Sequence, residues 1–250
     1  MEPSEYDNIA RLEETHWWYA GMAAMAAGWL RRLPPAAPAA GPATRLILDA
    51  GCGTGGAMGW LAEFGRSFGV DLHPRALRLS AAKGRTRLAR AGVETLPFPS
   101  ESFDLVTSFD VLYHLRVSDD QRALREFARV LRPGGRLLLR VPAHEWLRRD
   151  HDRVVHTRHR YTRREVNDKL RAAGLRPERV TYANTLLLPP AVAWRLLHGG
   201  QAAAPESDVQ LPPQLLNQLL TRLLRAEGRW LERFNLPVGM SVLALARKLL

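Results

Sequence analysis

The chain has 250 residues, 46% of them hydrophobic and 24% charged, with a formal net charge of +11 and one cysteine. That length and balance suit a single α/β domain with a full core, and they exclude a disordered, collagen-like or disulfide-framed chain. The charge does not point to a nucleic-acid partner. Lysine stands only at Lys83, Lys169 and Lys248, the arginines are spread along the whole chain, and Asp150 and Asp152 interrupt the one dense run from Arg148 to Arg164. The N-terminus lacks the basic-then-apolar pattern of a secretory signal, and Pro189, Pro190 and Arg195 break the most apolar stretch, Leu186 to Leu197. The reading is a cytoplasmic protein with no transmembrane segment.

Residues 1–33 predict helix, with Trp17, Trp18 and Tyr19 leading into an Ala/Met-rich apolar face and Pro34 and Pro35 as its stop. The proline- and alanine-rich run 34–44 reads as a linker, so residues 1–44 are expected to form a helical lid and linker ahead of a domain over 45–250. Strands are expected at Arg45–Ala50, Ser67–Asp71, Thr86–Arg90, Phe103–Ser108 and Arg136–Val141, followed by Arg179–Tyr182 and Met240–Arg247. Amphipathic helices fall between them. One runs from Ser118, as N-cap, to Leu131 and stops at the Pro133-Gly134-Gly135 turn; another runs from the capping-box-like Thr162-x-x-Glu165 to Gly174. Alternating strands and helices of this kind build a parallel sheet with crossovers. Residues 186–236 form an apolar, helical insertion that such a fold does not demand. Leu215, Leu219, Leu223 and Trp230 share a face of a long amphipathic helix over 211–234. That face must meet the acceptor pocket, a second subunit in a homodimer, or a membrane surface in peripheral contact; closure of the pocket is the expected use.

The strongest motif is RLILDAGCGTGGAMGWL at 45–61, an apolar strand running through a glycine-rich turn into a helix. Gly51, Gly53 and Gly55 let backbone approach a ligand, and the helix start offers unpaired N–H groups suited to an anion. The spacing Gly51-x-Gly53-x-x-Gly56 alone does not separate a dinucleotide from S-adenosylmethionine. Asp49 does, since a carboxylate two residues before the first glycine repels a pyrophosphate and attracts an ammonium group. Asp71 ends the second strand, where an acid accepts from both ribose hydroxyls. Cys52 reads as a small residue tolerated in the tight loop, without chemistry of its own.

DAGCGTG (49–55), Asp71, VETLPFPSESFDLV (93–106), SFDVLYHL (108–115) and LREFARVLRPGGRLLLRVP (124–142) together resemble the class I S-adenosylmethionine-dependent methyltransferases, specifically the small-molecule type 11 domains. HWWY at 16–19 and RYTRREV at 160–166 resemble flanking pieces of one branch of that group. The resemblance implies a Rossmann-like, doubly wound seven-stranded sheet with its last strand antiparallel. It also implies S-adenosylmethionine as cofactor, held by Asp49, Gly51, Cys52, Gly53 and Gly55 at its methionine end, Asp71 and Leu72 at the ribose, Val93 and Glu94 along the adenine, and Phe109 with Asp110 near the sulfonium. Many members carry an Asp at the position of Gly92, which leaves the adenine amino group to backbone near Val93.

Three aromatics after His16 cannot all face one way on a helix, so at least one is expected to cover the cofactor or acceptor pocket, where a sulfonium gains cation–π attraction; Trp17 and Trp18 are assigned to the cofactor and Tyr19 to the acceptor. His114 and His156 are the candidate catalytic residues. Two uses of His114 stay open, a base near neutral pH or a shaper of the pocket. Asp152 and His156, four apart, can share a helix face with His151 beside them; a substrate-orienting use is favoured over a metal triad because adjacent His and Asp side chains diverge. Arg160 and Tyr161 either bind an anionic group of the acceptor or brace their loop. The expected activity is methyl transfer to an O, N or C nucleophile of a small-molecule acceptor. A non-catalytic S-adenosylmethionine-binding protein and a nicotinamide-dependent oxidoreductase are the alternatives.

Overall fold

The computed structural model describes residues 3–34, 44–148, 152, 155–198 and 210–249. The sheet has seven strands: β1 (Leu46–Ala50), β2 (Arg66–Asp71), β3 (Leu88–Arg90), β4 (Phe103–Phe109), β5 (Leu131–Pro142), β6 (Leu175–Ala183) and β7 (Ser241–Lys248). Their spatial order is β3-β2-β1-β4-β5-β7-β6, with β7 antiparallel to both neighbours and β1 to β5 parallel. The order reverses at β1, and at that switch point the loops following β1 and β4 diverge to leave a crevice.

Side chains alternate across the strands, so each strand feeds two cores. Leu137, Leu139 and Val141 of β5 and Val242, Ala244 and Ala246 of β7 pack with Leu124 and Phe127 of α5 (Asp120–Val130) and Val166 and Leu170 of α6 (Arg163–Ala172). On the other face Ile47, Leu138, Leu243 and Leu245 meet α2 (Trp17–Arg31), α3 (Gly56–Leu61) and α8 (Gln214–Leu231). The remaining helices are α1 (Pro3–Leu12), α4 (Pro74–Ala82) and α7 (Leu188–His198).

The expected single helix over 1–33 is two. His16 caps α2, its Nδ1 accepting from Trp18 N at 3.2 Å, and this cap forces a break after α1. Only the part of α2 up to Ala26 reaches the crevice; Trp29 and Leu30, beyond it, are buried under the sheet. Residues 35–43 of the expected linker lie outside the described residues. The cap of α5 is Asp119, accepting from Arg122 N at 2.9 Å, and not Ser118, whose hydroxyl donates to Glu94 instead. β5 starts five residues before the expected Arg136, its pairing with β4 resuming after a register shift at Phe103/Leu105.

Among the described residues the insertion is helical, as α7 and α8. Its long helix buries a different face from the one expected: Leu224, Glu227, Gly228 and Leu231 pack inward, while Leu215 and Leu219 are 82% and 62% exposed. The periodicity marks an amphipathic helix but does not tell which of two apolar stripes meets the core. Gly21 and Gly228 allow the close packing of α2 on α8, since a Cβ on Gly21 would overlap Leu224. The Glu227 carboxylate is buried and accepts from the backbone N–H groups of Asn184, Thr185 and Leu186. No helix of the described residues is long and apolar enough to cross a membrane.

Candidate active site

A cavity of about 950 Å³ opens at the C-terminal ends of β1, β2, β4 and β5, where loop backbone and side chains converge. At one end lies the glycine turn. Gly51 and Gly53 have φ of +86° and +53°, and a Cβ on Gly51 would overlap the Val111 side chain. Gly55, also left-handed at +85°, serves packing against Ser80 and does not line the cavity, contrary to its expected cofactor contact. Cys52 does line it, and burial pushes its thiol far up, which leaves no reactive thiolate.

Asp49 is 2% exposed and has one hydrogen-bond donor, the Thr107 hydroxyl at 2.8 Å. Burial pushes its pKa up to about 7, and the Thr107 bond and Arg140 only partly oppose this. Asp71 accepts from Gly53 N at 3.0 Å and His73 N at 2.8 Å, so the second acid also braces the turn that carries the first. At the start of α3 the anion is the chain's own Glu13, which accepts from Thr54 Oγ1 at 2.7 Å, pairs with Lys83 and lies where a Cβ on Gly56 would sit. That helix start therefore needs no anion from a ligand, contrary to expectation. α1 is fastened across this end by the Asp7–Arg75 pair and by Tyr6 stacked on His73 at 4.4 Å.

Leu72, Val93 and Glu94 reach the cavity wall. The Glu94 carboxylate, however, is committed elsewhere, accepting from Ser118 Oγ at 2.7 Å, Asp119 N at 2.8 Å and Ser118 N at 3.2 Å. It fastens the loop before α5. Gly92 faces open space in which a Cβ would meet nothing within 4 Å.

The other end is polar on one wall and aromatic on the other. Arg140 donates from Nε and Nη2 to Asp110 Oδ2 at 2.9 and 2.5 Å and lies over the Phe109 ring at 5.4 Å. Tyr19 and Tyr113 line the same end, and burial raises both phenols, keeping them as neutral O–H groups. Trp17, Trp18, Trp60 and Phe109 supply the apolar surface.

The loop after β5 differs from its expected use. Asp152 pairs with Arg160 through two bonds of 3.0 Å, not with His156, and Arg160 Nη1 donates to Ala143 O at 3.0 Å. Three of the guanidinium N–H groups brace the loop, and both residues line the cavity. Tyr161 is buried away from it, donating to Asp120 at 2.7 Å. His156, the other candidate catalytic residue, is likewise off the cavity wall and stacks behind His114 at 5.6 Å, so it reaches the cavity only through that ring. His151 lies outside the described residues. His114 faces the cavity, but its Nδ1 accepts from Arg116 N at 3.0 Å, which puts the proton of the neutral ring on Nε2. Burial, with His156 close by, lowers its pKa to about 4. Of its two open uses, the base is therefore disfavoured and the pocket-shaping hydrogen-bond donor is retained. The insertion, expected to close this pocket, supplies no described lining residue.

Sequence reasoning misses Arg140, Tyr113 and Glu13. Arg140 sits in a strand whose pattern reads as core, and only its pairing with Asp110, thirty residues earlier, gives it a place at the site.

The fold and the site define a Rossmann-like α/β domain whose crevice carries a buried carboxylate beside a glycine turn. A profile described as Methyltransferase domain matches residues 48–139, from within β1 through most of β5. Over 102 residues the chain is 42% identical to the ubiquinone/menaquinone biosynthesis C-methyltransferase of Syntrophotalea carbinolica, a match spanning 37% of this chain and 42% of that one. Among solved structures it resembles the protein bound to the Trm112 methyltransferase activator of Haloferax volcanii, with TM-score 0.62, 20% identity and 98% of each chain covered. It also resembles geranyl diphosphate C-methyltransferase of Streptomyces coelicolor, with TM-score 0.58, 17% identity and coverage of 90% and 77%. Over residues 48–139 the chain is thus similar to class I S-adenosylmethionine-dependent methyltransferases. It spans under half the length of the curated relatives it matches.

Proposed function

We propose that the protein transfers a methyl group from S-adenosylmethionine to an O, N or C nucleophile of a small acceptor with an apolar body. The observation that carries this reading is the continuity of one cavity from Asp49 and the glycine turn to Tyr19, Tyr113 and the Asp110–Arg140 pair. The residues present suit the cofactor. Among the described residues the buried Asp49 carboxylate has no cationic partner in direct contact, two left-handed glycines open the turn, and Asp71, at the end of β2, is the acid a ribose would meet. When bound, the cofactor supplies a methyl group already activated on a sulfonium. The chain's own work is alignment and exclusion of water. Trp17, Trp18 and Phe109 exclude solvent, while Arg140 and Asp110, each fixed by the other, offer a donor and an acceptor to a polar group of the substrate. No histidine serves as base in this scheme. The names of the Syntrophotalea and Streptomyces proteins give substrates with isoprenoid parts, and the aromatic wall accords with an acceptor of that character.

The test is incubation with methyl-labelled S-adenosylmethionine and a metabolite extract, with mass spectrometry of the products. A labelled small molecule whose formation stops in Asp49→Ala is the expected result. Cofactor binding without any labelled product from polar or lipid extracts would leave a binding protein and sink the enzymatic reading.

A further inference from the structure

The outward face of α8 carries more apolar surface than a solvated helix needs. Leu215, Leu216 and Leu219, with Trp230 and then Phe234 beyond the helix end, are all exposed, and Leu211 continues the patch ahead of the helix. On a helical projection Leu215, Leu219, Leu223 and Trp230 share one stripe, the face opposite Leu224 and Leu231. Arg222, Arg225, Arg229 and Arg233 run along one border of that stripe. All four are exposed, and none of their side chains has an ion pair or hydrogen bond among the described residues. The helix brings no exposed carboxylate to meet them, since Glu227 is buried and Glu232, just beyond its end, is paired with Arg32.

We infer that α8 is an interfacial helix that seats the protein on an anionic lipid bilayer. An apolar stripe beside a row of arginines matches a membrane boundary, where acyl chains accept the leucines and lipid phosphates accept the guanidinium groups. A second copy of the chain is a poorer occupant. Pairing two such helices would bury arginines with no acid from either helix to neutralise them. The helix is also rigidly tied to the cavity. Asn217 accepts from Trp17 N at 2.9 Å and donates to Thr15 O at 2.9 Å, and His16 Nε2 lies 3.2 Å from Gln210 O. The bilayer would therefore meet the protein beside the aromatic wall of the cavity. Docking stands on α8 alone and does not depend on methyl transfer.

Co-sedimentation with vesicles tests this directly. Vesicles of phosphatidylglycerol and phosphatidylcholine in equal parts should bind the full chain, while pure phosphatidylcholine should bind it about tenfold more weakly. Leu215→Gln/Leu219→Gln and Arg222→Gln/Arg229→Gln should each weaken binding to the anionic vesicles about tenfold, the arginine pair losing its effect at high salt. All four side chains point outward, so circular dichroism should be unchanged. Failure to bind anionic vesicles at low salt, or binding by both variants equal to that of the parent, overturns the proposal. So does a dimer in sedimentation velocity that Leu215→Gln/Leu219→Gln dissolves, which would assign the stripe to self-association.

Discussion

The cofactor end of the cavity is made from 49–56, 71–73 and 91–94, three short loops at the tips of adjacent parallel strands, whereas the acceptor end gathers Tyr19, Asp110, Tyr113, Arg140 and Ser241 from across the whole chain. The first end is held by backbone, through glycine turns and N–H groups that Asp71 collects from Gly53 and His73. The second is held by side chains on side chains, Arg140 on Asp110 and Arg160 on Asp152. Backbone geometry tolerates few sequences, so the first end looks alike wherever its ligand is the same. Side-chain pairs can be exchanged without moving a strand, which leaves the second end free to differ from one acceptor to another.

Two substitutions separate the cofactor end from the packing of the fold around it most sharply. Asp49→Asn should weaken S-adenosylmethionine about a hundredfold in calorimetry, since a charge-assisted contact to the ammonium group is lost. The same change should stabilise the unliganded protein above neutral pH. The folded pKa of Asp49 is raised from 3.8 to about 7, so the wild-type fold loses stability as pH rises through that window, by at most about 4 kcal/mol. A higher melting temperature for Asp49→Asn at pH 8, shrinking toward pH 4, is expected. Equal melting at both pH values would mean that Asp49 is not a strained acid kept for a ligand. Glu227→Ala, far from the cofactor, should do the reverse, costing about 3 kcal/mol in urea unfolding because three backbone N–H groups lose their acceptor. Cofactor affinity measured on the folded fraction should be unaltered.

Much of the first end is legible in the amino-acid sequence, because its signal is contiguous: a strand, a glycine turn, a helix and an acid at the end of the next strand. The seven strands and their antiparallel last member follow from the resemblance that the same run of motifs carries. Pairing at a distance is what a linear pattern does not hold. Tyr161 reads as a substrate residue because it sits beside Arg160, yet alternation along an extended segment turns its ring into the core, onto Asp120. Glu94 reads as an adenine residue because Val93 does, but its carboxylate turns to Ser118. Leu215, Leu219, Leu223 and Trp230 do share a helical face, while the burial of the opposite face depends on Gly21 and Gly228 letting α2 approach, which periodicity does not register.

The acceptor end is sharpened by Arg140→Lys, which keeps the charge but loses the fork that fixes Asp110. Once an acceptor is known, its KM should rise about tenfold while cofactor affinity stays within about twofold, the order expected for one charge-assisted contact. A loss of cofactor affinity equal to the change in KM would show that the two ends are one site and break the comparison.

His114 is the residue on which the two ends differ least and the expected effect is smallest. It lies on the cavity wall, and its ring is already committed. Nδ1 is occupied by Arg116 N, leaving Nε2–H as a donor, and burial lowers the pKa to about 4, too low for a group that must take a proton near neutrality. Its contribution is then one neutral hydrogen bond and some shape, which corresponds to about a threefold to tenfold loss of kcat/KM in His114→Ala. His114→Gln, which keeps an N–H donor, should recover part of it. The decisive readout is the pH profile between about 5.5 and 8, where a histidine base would give the parent a rising limb that His114→Ala lacks. Parallel profiles are expected, with the mutant lower by a constant factor. A limb present in the parent and absent from both variants would restore His114 as the base and require that its bond to Arg116 N open during turnover.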